Sequence, residues 1–262
     1  MKHETKNRSG LKLVIQVDEP ENPKGLVFIM HGMSGFKEQY HIVAFKEAFL
    51  ENNYRVVRFD ATNALGESDG DMMNVTYDNY ISDLEDVIEW ARSQVWFQQP
   101  FALCGHSMGA QSTAWYAAHH PEEVSLLVPM APPINYELYS ATMDKNELRE
   151  WRSNGFKLSN SRSKPGITKQ VGWGVVESIK KFDLLPFANR LSMPVLDIVG
   201  SEDEPCPPAH QEIFMNHVGS EDKKLVVVPG LEHSYRNAST GRADDGLDTI
   251  KDTLKEWLSD RS

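Results

Sequence analysis

Short, predominantly apolar runs punctuate the chain at residues 25–30, 54–59, 101–104, 124–130, 193–199 and 223–228, and most of them stop abruptly at a turn-forming or polar residue. Runs of this length and uniformity read as strands buried on both faces. Between them apolar residues return at helical spacing: Phe45, Ala48, Phe49 and Leu50, then Tyr77, Ile81, Leu84, Val87, Ile88 and Ala91. Helices are also expected over 110–119 and 210–217, and a last one carries Leu247, Ile250, Leu254, Trp257 and Leu258. Residues 11–17 alternate apolar and polar, as in an edge strand. Strands alternating with helices predict an α/β fold: a mostly parallel, doubly wound sheet whose reactive loops lie at the carboxyl ends of its strands. The alternation breaks at residue 134. Residues 134–191 hold scattered aromatics, a basic polar stretch and four glycines (Gly155, Gly166, Gly172, Gly174), so they read as an inserted cap between two parts of one core, 1–133 and 192–262.

Chemistry concentrates where strands end. Leu103-Cys104-Gly105-His106-Ser107-Met108-Gly109 joins an apolar run to a helical pattern and places Ser107 at the corner. Glycines two residues to either side remove side chains that would collide at so sharp a turn. A serine hydroxyl is a weak nucleophile, so it needs an imidazole to take its proton and a carboxylate to orient that imidazole. His233 follows the last strand in Pro229-Gly230-Leu231-Glu232-His233 and is the expected base. His210 and His217 fall on a helix, while His3, His41, His119 and His120 read as surface residues, and local loop roles account for His31 and His106. Among the carboxylates of Gly200-Ser201-Glu202-Asp203-Glu204, Asp203 is the expected acid. Asp197 interrupts an apolar strand; it needs a partner or a place at the sheet's end, and it stands as the reserve acid. Two backbone donors complete the set: the N–H groups of Met108 and of Met33, the latter after His31-Gly32.

Composition narrows the partner. The 262 residues carry a net charge of −11 and no long Lys/Arg block, which argues against nucleic acid and anionic membranes and for a small, uncharged ligand. Residues 1–10 are polar and charged, and no run is long enough to cross a bilayer, so a cytoplasmic protein is expected. Cys104 and Cys206 read as free thiols rather than as a disulfide or zinc framework. The chemistry requires no cofactor or metal. In the cap, Tyr136, Tyr139, Met143, Trp151, Phe156 and Trp173 are candidates for an apolar roof over the substrate, with Tyr136, Trp151 and Trp173 foremost; packing of a small lid accounts for them equally well. Lys157, Arg162, Lys164 and Lys169 could draw in a carboxylate or simply form a solvated loop.

Taken together, His31-Gly32-Met33 after a strand, Gly105-His106-Ser107-Met108-Gly109, Asp203 and His233 resemble the α/β-hydrolase superfamily in type and order. Arg58-Phe59-Asp60 followed by Gly66-Glu67-Ser68-Asp69-Gly70 looks more narrowly like small bacterial esterases related to cinnamoyl and feruloyl esterases, which also carry a compact cap. The resemblance implies a carboxylic ester hydrolase acting on short to medium acyl or aryl esters through an acyl-enzyme. A serine peptidase or amidase, or an acyltransferase, would use the same residues. A noncatalytic ligand-binding protein of this fold is the alternative of another class.

Overall fold

Gly25–Met30 (β3) sits near the middle of an eight-stranded sheet, and its side chains show why the apolar runs are unbroken. In the computed structural model, which describes residues 1–161 and 163–261, Val27 and Ile29 face one hydrophobic layer while Leu26, Phe28 and Met30 face the other. Lys2–Lys6 (β1) and Lys12–Asp18 (β2) form an antiparallel edge, and β2 pairs antiparallel with Tyr54–Asp60 (β4). From β4 onward the sheet is parallel, through β3, Phe101–His106 (β5), Val124–Met130 (β6), Val195–Gly200 (β9) and Lys223–Val228 (β10). The order is β1-β2-β4-β3-β5-β6-β9-β10. The mostly parallel, doubly wound sheet expected from the pattern is the one observed.

Tyr40–Glu51 (α1) and Asp244–Ser259 (α8) cover one face through Ile42, Phe45, Phe49, Ile250, Leu254 and Trp257. Tyr77–Arg92 (α2), Met108–His119 (α3) and Pro208–His217 (α7) cover the other. α2 begins with a capping box in which Thr76 and Asn79 exchange hydrogen bonds, satisfying two backbone donors at the helix start. One strand had no apolar signal: β1 alternates exposed and half-exposed residues, so it is held by its ladder to β2 rather than by burial.

Between β6 and β9 the chain folds into Tyr136–Ala141 (α4), Lys145–Asn154 (α5), an antiparallel hairpin of Phe156–Asn160 (β7) and Thr168–Gly172 (β8), and Gly174–Ile179 (α6). This insertion is tied to the core. Ser178 Oγ accepts from Tyr77 N–H at 2.9 Å and the Phe182 carbonyl accepts from Gln111 Nε2 at 2.6 Å. Among the described residues no helix is long and apolar enough to cross a membrane.

Candidate active site

Ser107 forms the corner between β5 and α3 with φ +55° and ψ −122°, a backbone region that costs a residue with a Cβ on the order of 1–3 kcal/mol. The corner closes because nothing intervenes: a Cβ at Gly105 would lie 2.4 Å from the Gly109 carbonyl oxygen, and one at Gly109 would lie 2.5 Å from those of Met30 and His31. Ser107 N–H donates to the Met130 carbonyl at 3.0 Å, and the Ser107 carbonyl accepts from Gln111 N–H at 2.9 Å. The hydroxyl is thereby presented at the end of the sheet.

The loops after β9 and β10 bring the other two predicted residues to it. His233 Nδ1 donates to Asp203 Oδ2 at 2.8 Å, which leaves Nε2 to accept from Ser107 Oγ at 2.9 Å. The other Asp203 oxygen accepts from Cys206 N–H at 2.8 Å. The Asp203 side chain is 0% exposed and that of His233 23%, so the carboxylate is kept from water while the imidazole reaches the cleft. Glu202 and Glu204 are exposed, and Asp197 is engaged elsewhere, with Ala131 N–H.

Three further histidines belong to the site's frame, and the sequence reading undervalued them. His106 Nε2 donates to the His233 backbone carbonyl at 2.8 Å. His41, expected at the surface, is fully buried instead: it sits on the inward face of α1, its ring centroid 4.4 Å from that of His106. Its place four residues before Phe45 puts both on one helical face, which is the signal that was available. Burial drives the ring down to about 3, assisted by His233, His31 and Arg236, so His41 packs as a neutral aromatic. His31 is the third: Nε2 accepts from Ala61 N–H at 3.0 Å, so Nδ1 carries the proton and donates to the Gly32 carbonyl at 2.8 Å. Burial holds this ring below its ordinary value, in keeping with a neutral donor.

That Gly32 carbonyl also accepts from Gly35 N–H at 2.9 Å and Tyr80 Oη at 3.1 Å. Because the peptide is planar and trans, fixing the carbonyl on the buried side turns the Met33 N–H the opposite way. A Cβ on Gly32 would come within 3.0 Å of the Ser107 Cβ, so this loop runs directly past the serine. Met108 is the first residue of α3, where N–H groups have no intrahelical acceptor. Two backbone donors therefore flank Ser107.

A cleft of about 870 Å³ opens above these residues. Met33, Tyr40 and Ser107 line it from the core, and Lys157, Ser159 and Asn160 of β7, with Ser163 and Lys169, line it from the insertion. Tyr136, Trp151 and Trp173, read from the sequence either as an apolar roof or as packing of the insertion, are not among the described residues lining the cleft. Trp151 is buried, donates from Nε1 to the Val171 carbonyl at 2.9 Å and stacks edge-on against Trp173 at 5.8 Å. Tyr136 lies under Lys180 Nζ, 5.0 Å from its ring centre. These aromatics pack the insertion upon itself. Lys157 is paired with Glu147, and Lys164 Nζ donates to the Leu65 carbonyl; Arg162 lies outside the described residues.

The residues of the Arg58–Asp60 and Gly66–Gly70 motifs are tied together at the end of β4. Asp60 accepts from Lys37 N–H at 2.7 Å and Glu67 N–H at 2.9 Å, and pairs with Lys37 Nζ at 2.8 Å. As for metals, Asp203, Cys206 and His233 offer ligand atoms within 4.8 Å of one another, as do His120, Glu122 and Glu123. In the first set Asp203 and His233 are engaged in the hydrogen-bond chain to Ser107, and in the second Glu123 is bonded to Arg92 and Tyr116.

Against known proteins, the family model described as "Serine aminopeptidase, S33" matches residues 21–162 and 158–238. A monoacylglycerol lipase of Mycolicibacterium smegmatis is 23% identical over 283 residues, covering 95% of this chain and 93% of its own. A thermostable monoacylglycerol lipase of a Bacillus species is 25% identical over 223 residues, covering 84% and 85%. The solved structure of Est1E from Butyrivibrio proteoclasticus with ferulic acid bound superposes with a TM-score of 0.80 at 22% identity, covering 98% of each chain.

Proposed function

This chain belongs to the serine aminopeptidase S33 family and is a serine-dependent hydrolase of carboxylic esters, and we propose that Ser107 is its nucleophile, His233 its general base and Asp203 the carboxylate that orients the base. The observation that carries the assignment is the continuous hydrogen-bond chain from Asp203 through His233 to Ser107. His233 takes the Ser107 proton as the oxygen attacks the ester carbonyl. The Met33 and Met108 N–H groups receive the negative charge that develops on the carbonyl oxygen, without having to reorient at the moment of reaction. Collapse of the tetrahedral species expels the alcohol, protonated by His233, and leaves an acyl-enzyme. Water, deprotonated by the same imidazole, then releases the acid.

The substrate we infer is an ester of a small polyhydroxy alcohol, of the kind a monoacylglycerol presents, with a short to medium acyl chain. Its support is the lining of the cleft that also holds Ser107: Ser159, Asn160 and Ser163 line it from the insertion, and Glu202, Glu204 and Glu232 from the core. Such walls bind hydroxyls by hydrogen bonds and give a bare alkyl chain little to bury against.

The test compares glyceryl and methyl esters of the same acids, from butyrate to laurate, with methyl ferulate and an aminoacyl anilide, using wild type and Ser107→Ala. Ser107-dependent turnover with higher kcat/KM for the glyceryl member of each pair supports the reading. Equal turnover of both members, or preference for the ferulate, removes the polyhydroxy alcohol. Preference for the anilide would shift the assignment to amidase chemistry.

A further inference from the structure

Asp197 stands in the middle of β9, fully buried, and takes no part in the reaction above. Its Oδ1 accepts from Ala131 N–H at 3.0 Å, while Oδ2 has no hydrogen-bond partner among the described residues. A carboxyl in this setting is costly, and an apolar residue would suit the strand better.

The backbone shows what the carboxyl supplies. β6 and β9 are registered through the pair Leu127 and Val195, with Leu127 N–H donating to the Pro194 carbonyl at 2.9 Å. By Ala131 the chain has left β6 and its φ is +50°, a left-handed conformation that a residue with a Cβ rarely adopts. The Ala131 N–H is donated to the Asp197 side chain instead of a strand neighbour. The peptide that carries this N–H also carries the Met130 carbonyl, which accepts from Ser107 N–H at 3.0 Å. In a planar trans peptide the two groups point in opposite directions. One rigid amide therefore joins the Asp197 carboxyl to the backbone nitrogen of Ser107, and it joins two residues in positive-φ geometry.

We propose that Asp197 is a positioning residue for Ser107, fixing through Ala131 N–H the peptide on which the backbone of the serine is hung. The inference rests on the reading of Ser107 as nucleophile. Asp197 fills this role as a neutral acid. Burial pushes it up to about 8, against the Ala131 hydrogen bond, and the nearby Asp203 carboxylate pushes in the same direction as burial. The other titratable groups around it, Cys206 and Tyr235, are also driven toward their neutral forms by burial. A neutral Asp197 adds no second negative charge beside Asp203 and His233.

The experiment measures the rate of fluorophosphonate labelling and steady-state ester hydrolysis for wild type, Ser107→Ala, Asp197→Asn and Asp197→Leu. Asn keeps an acceptor for Ala131 N–H; Leu removes it. The expected result is labelling within about threefold of wild type for Asp197→Asn, and slowed at least about tenfold for folded Asp197→Leu, with the loss in kcat and KM held within about twofold. Wild-type labelling by folded Asp197→Leu, or equal slowing in both variants, overturns the inference. Undiminished labelling of Ser107→Ala overturns the underlying reading instead. Should Asp197→Leu not fold, hydrogen exchange in Asp197→Asn decides: Ser107 and Ala131 amides as slow as in wild type support the role, and faster exchange at either by about tenfold or more overturns it.

Discussion

His106 and His233 meet in an unexpected way: the ring of the first holds the backbone of the second, Nε2 donating to the carbonyl at 2.8 Å. The residue beside Ser107 thus anchors the loop that carries His233. Burial, then the neighbouring His41 and His233, keep His106 well below its ordinary value, so it remains a neutral donor. His106→Phe preserves the stacking and deletes the donor. Its kcat is expected to fall about tenfold with KM little changed, because a small displacement of His233 is felt in the proton transfer. Steady-state kinetics on a soluble ester check this, and His106→Gln, which can still donate, should recover part of the loss; equal kcat in all three proteins would show that the loop holds itself.

The Met33 N–H owes its direction to the three donors on the Gly32 carbonyl. Removing one of them, in Tyr80→Phe, leaves His31 and Gly35 in place. A net loss of about 1 kcal/mol, or roughly fivefold in kcat, is expected from one such hydrogen bond. Affinity for a boronic acid, which places an oxygen where the oxyanion forms, should drop in parallel. A fall in kcat without a fall in boronate affinity would separate Tyr80 from the proposed oxyanion site.

What the sequence made legible, and what it did not, divides by distance along the chain. Ser107 could be placed because its corner depends on neighbours two residues away, and Asp203 and His233 because each follows an apolar run that had to be a strand. The frame around them could not be read. His31 acts through its bond to Ala61, Tyr80 through Gly32, and Asp197 through Ala131, links between residues remote in sequence that no local periodicity records. The aromatics of the insertion stayed open for a related reason: composition identifies Trp151 as a residue to bury, but not whether it packs beside a ligand or against Val171. β1 escaped notice because a strand exposed on one face and half-exposed on the other needs no apolar residues.

Stability against pH gives a second, independent view of Asp197. Burial raises it to about 8 in the folded protein, whereas an unfolded aspartate titrates near about 4. Between those values the folded state holds a proton that the unfolded chain has released, so this group lowers stability progressively as pH rises through the window. Asp197→Asn ionises in neither state. Its melting temperature relative to wild type should therefore improve steadily from about pH 5 to about pH 8. A constant difference across that range would mean that Asp197 is ionised in the fold.

The insertion offers the last contrast, between residues that hold it together and residues that face the cleft. Trp151→Ala removes a buried ring, its bond to Val171 and its contact with Trp173, a change that costs about 3–5 kcal/mol where the site cannot collapse. The loss should appear as a lower melting temperature and as the same proportional loss of activity on every ester. Asn160→Leu replaces a polar, exposed cleft-lining residue, so stability should move by less than about 0.5 kcal/mol. Its effect should fall on selectivity, with the preference for glyceryl over methyl esters shrinking as a hydrogen-bonding wall becomes apolar. Melting curves and paired kcat/KM values on both variants separate the two roles. Were Trp151→Ala to reorder the acyl-chain preference while Asn160→Leu left it unchanged, the aromatic roof would be restored as the specificity element.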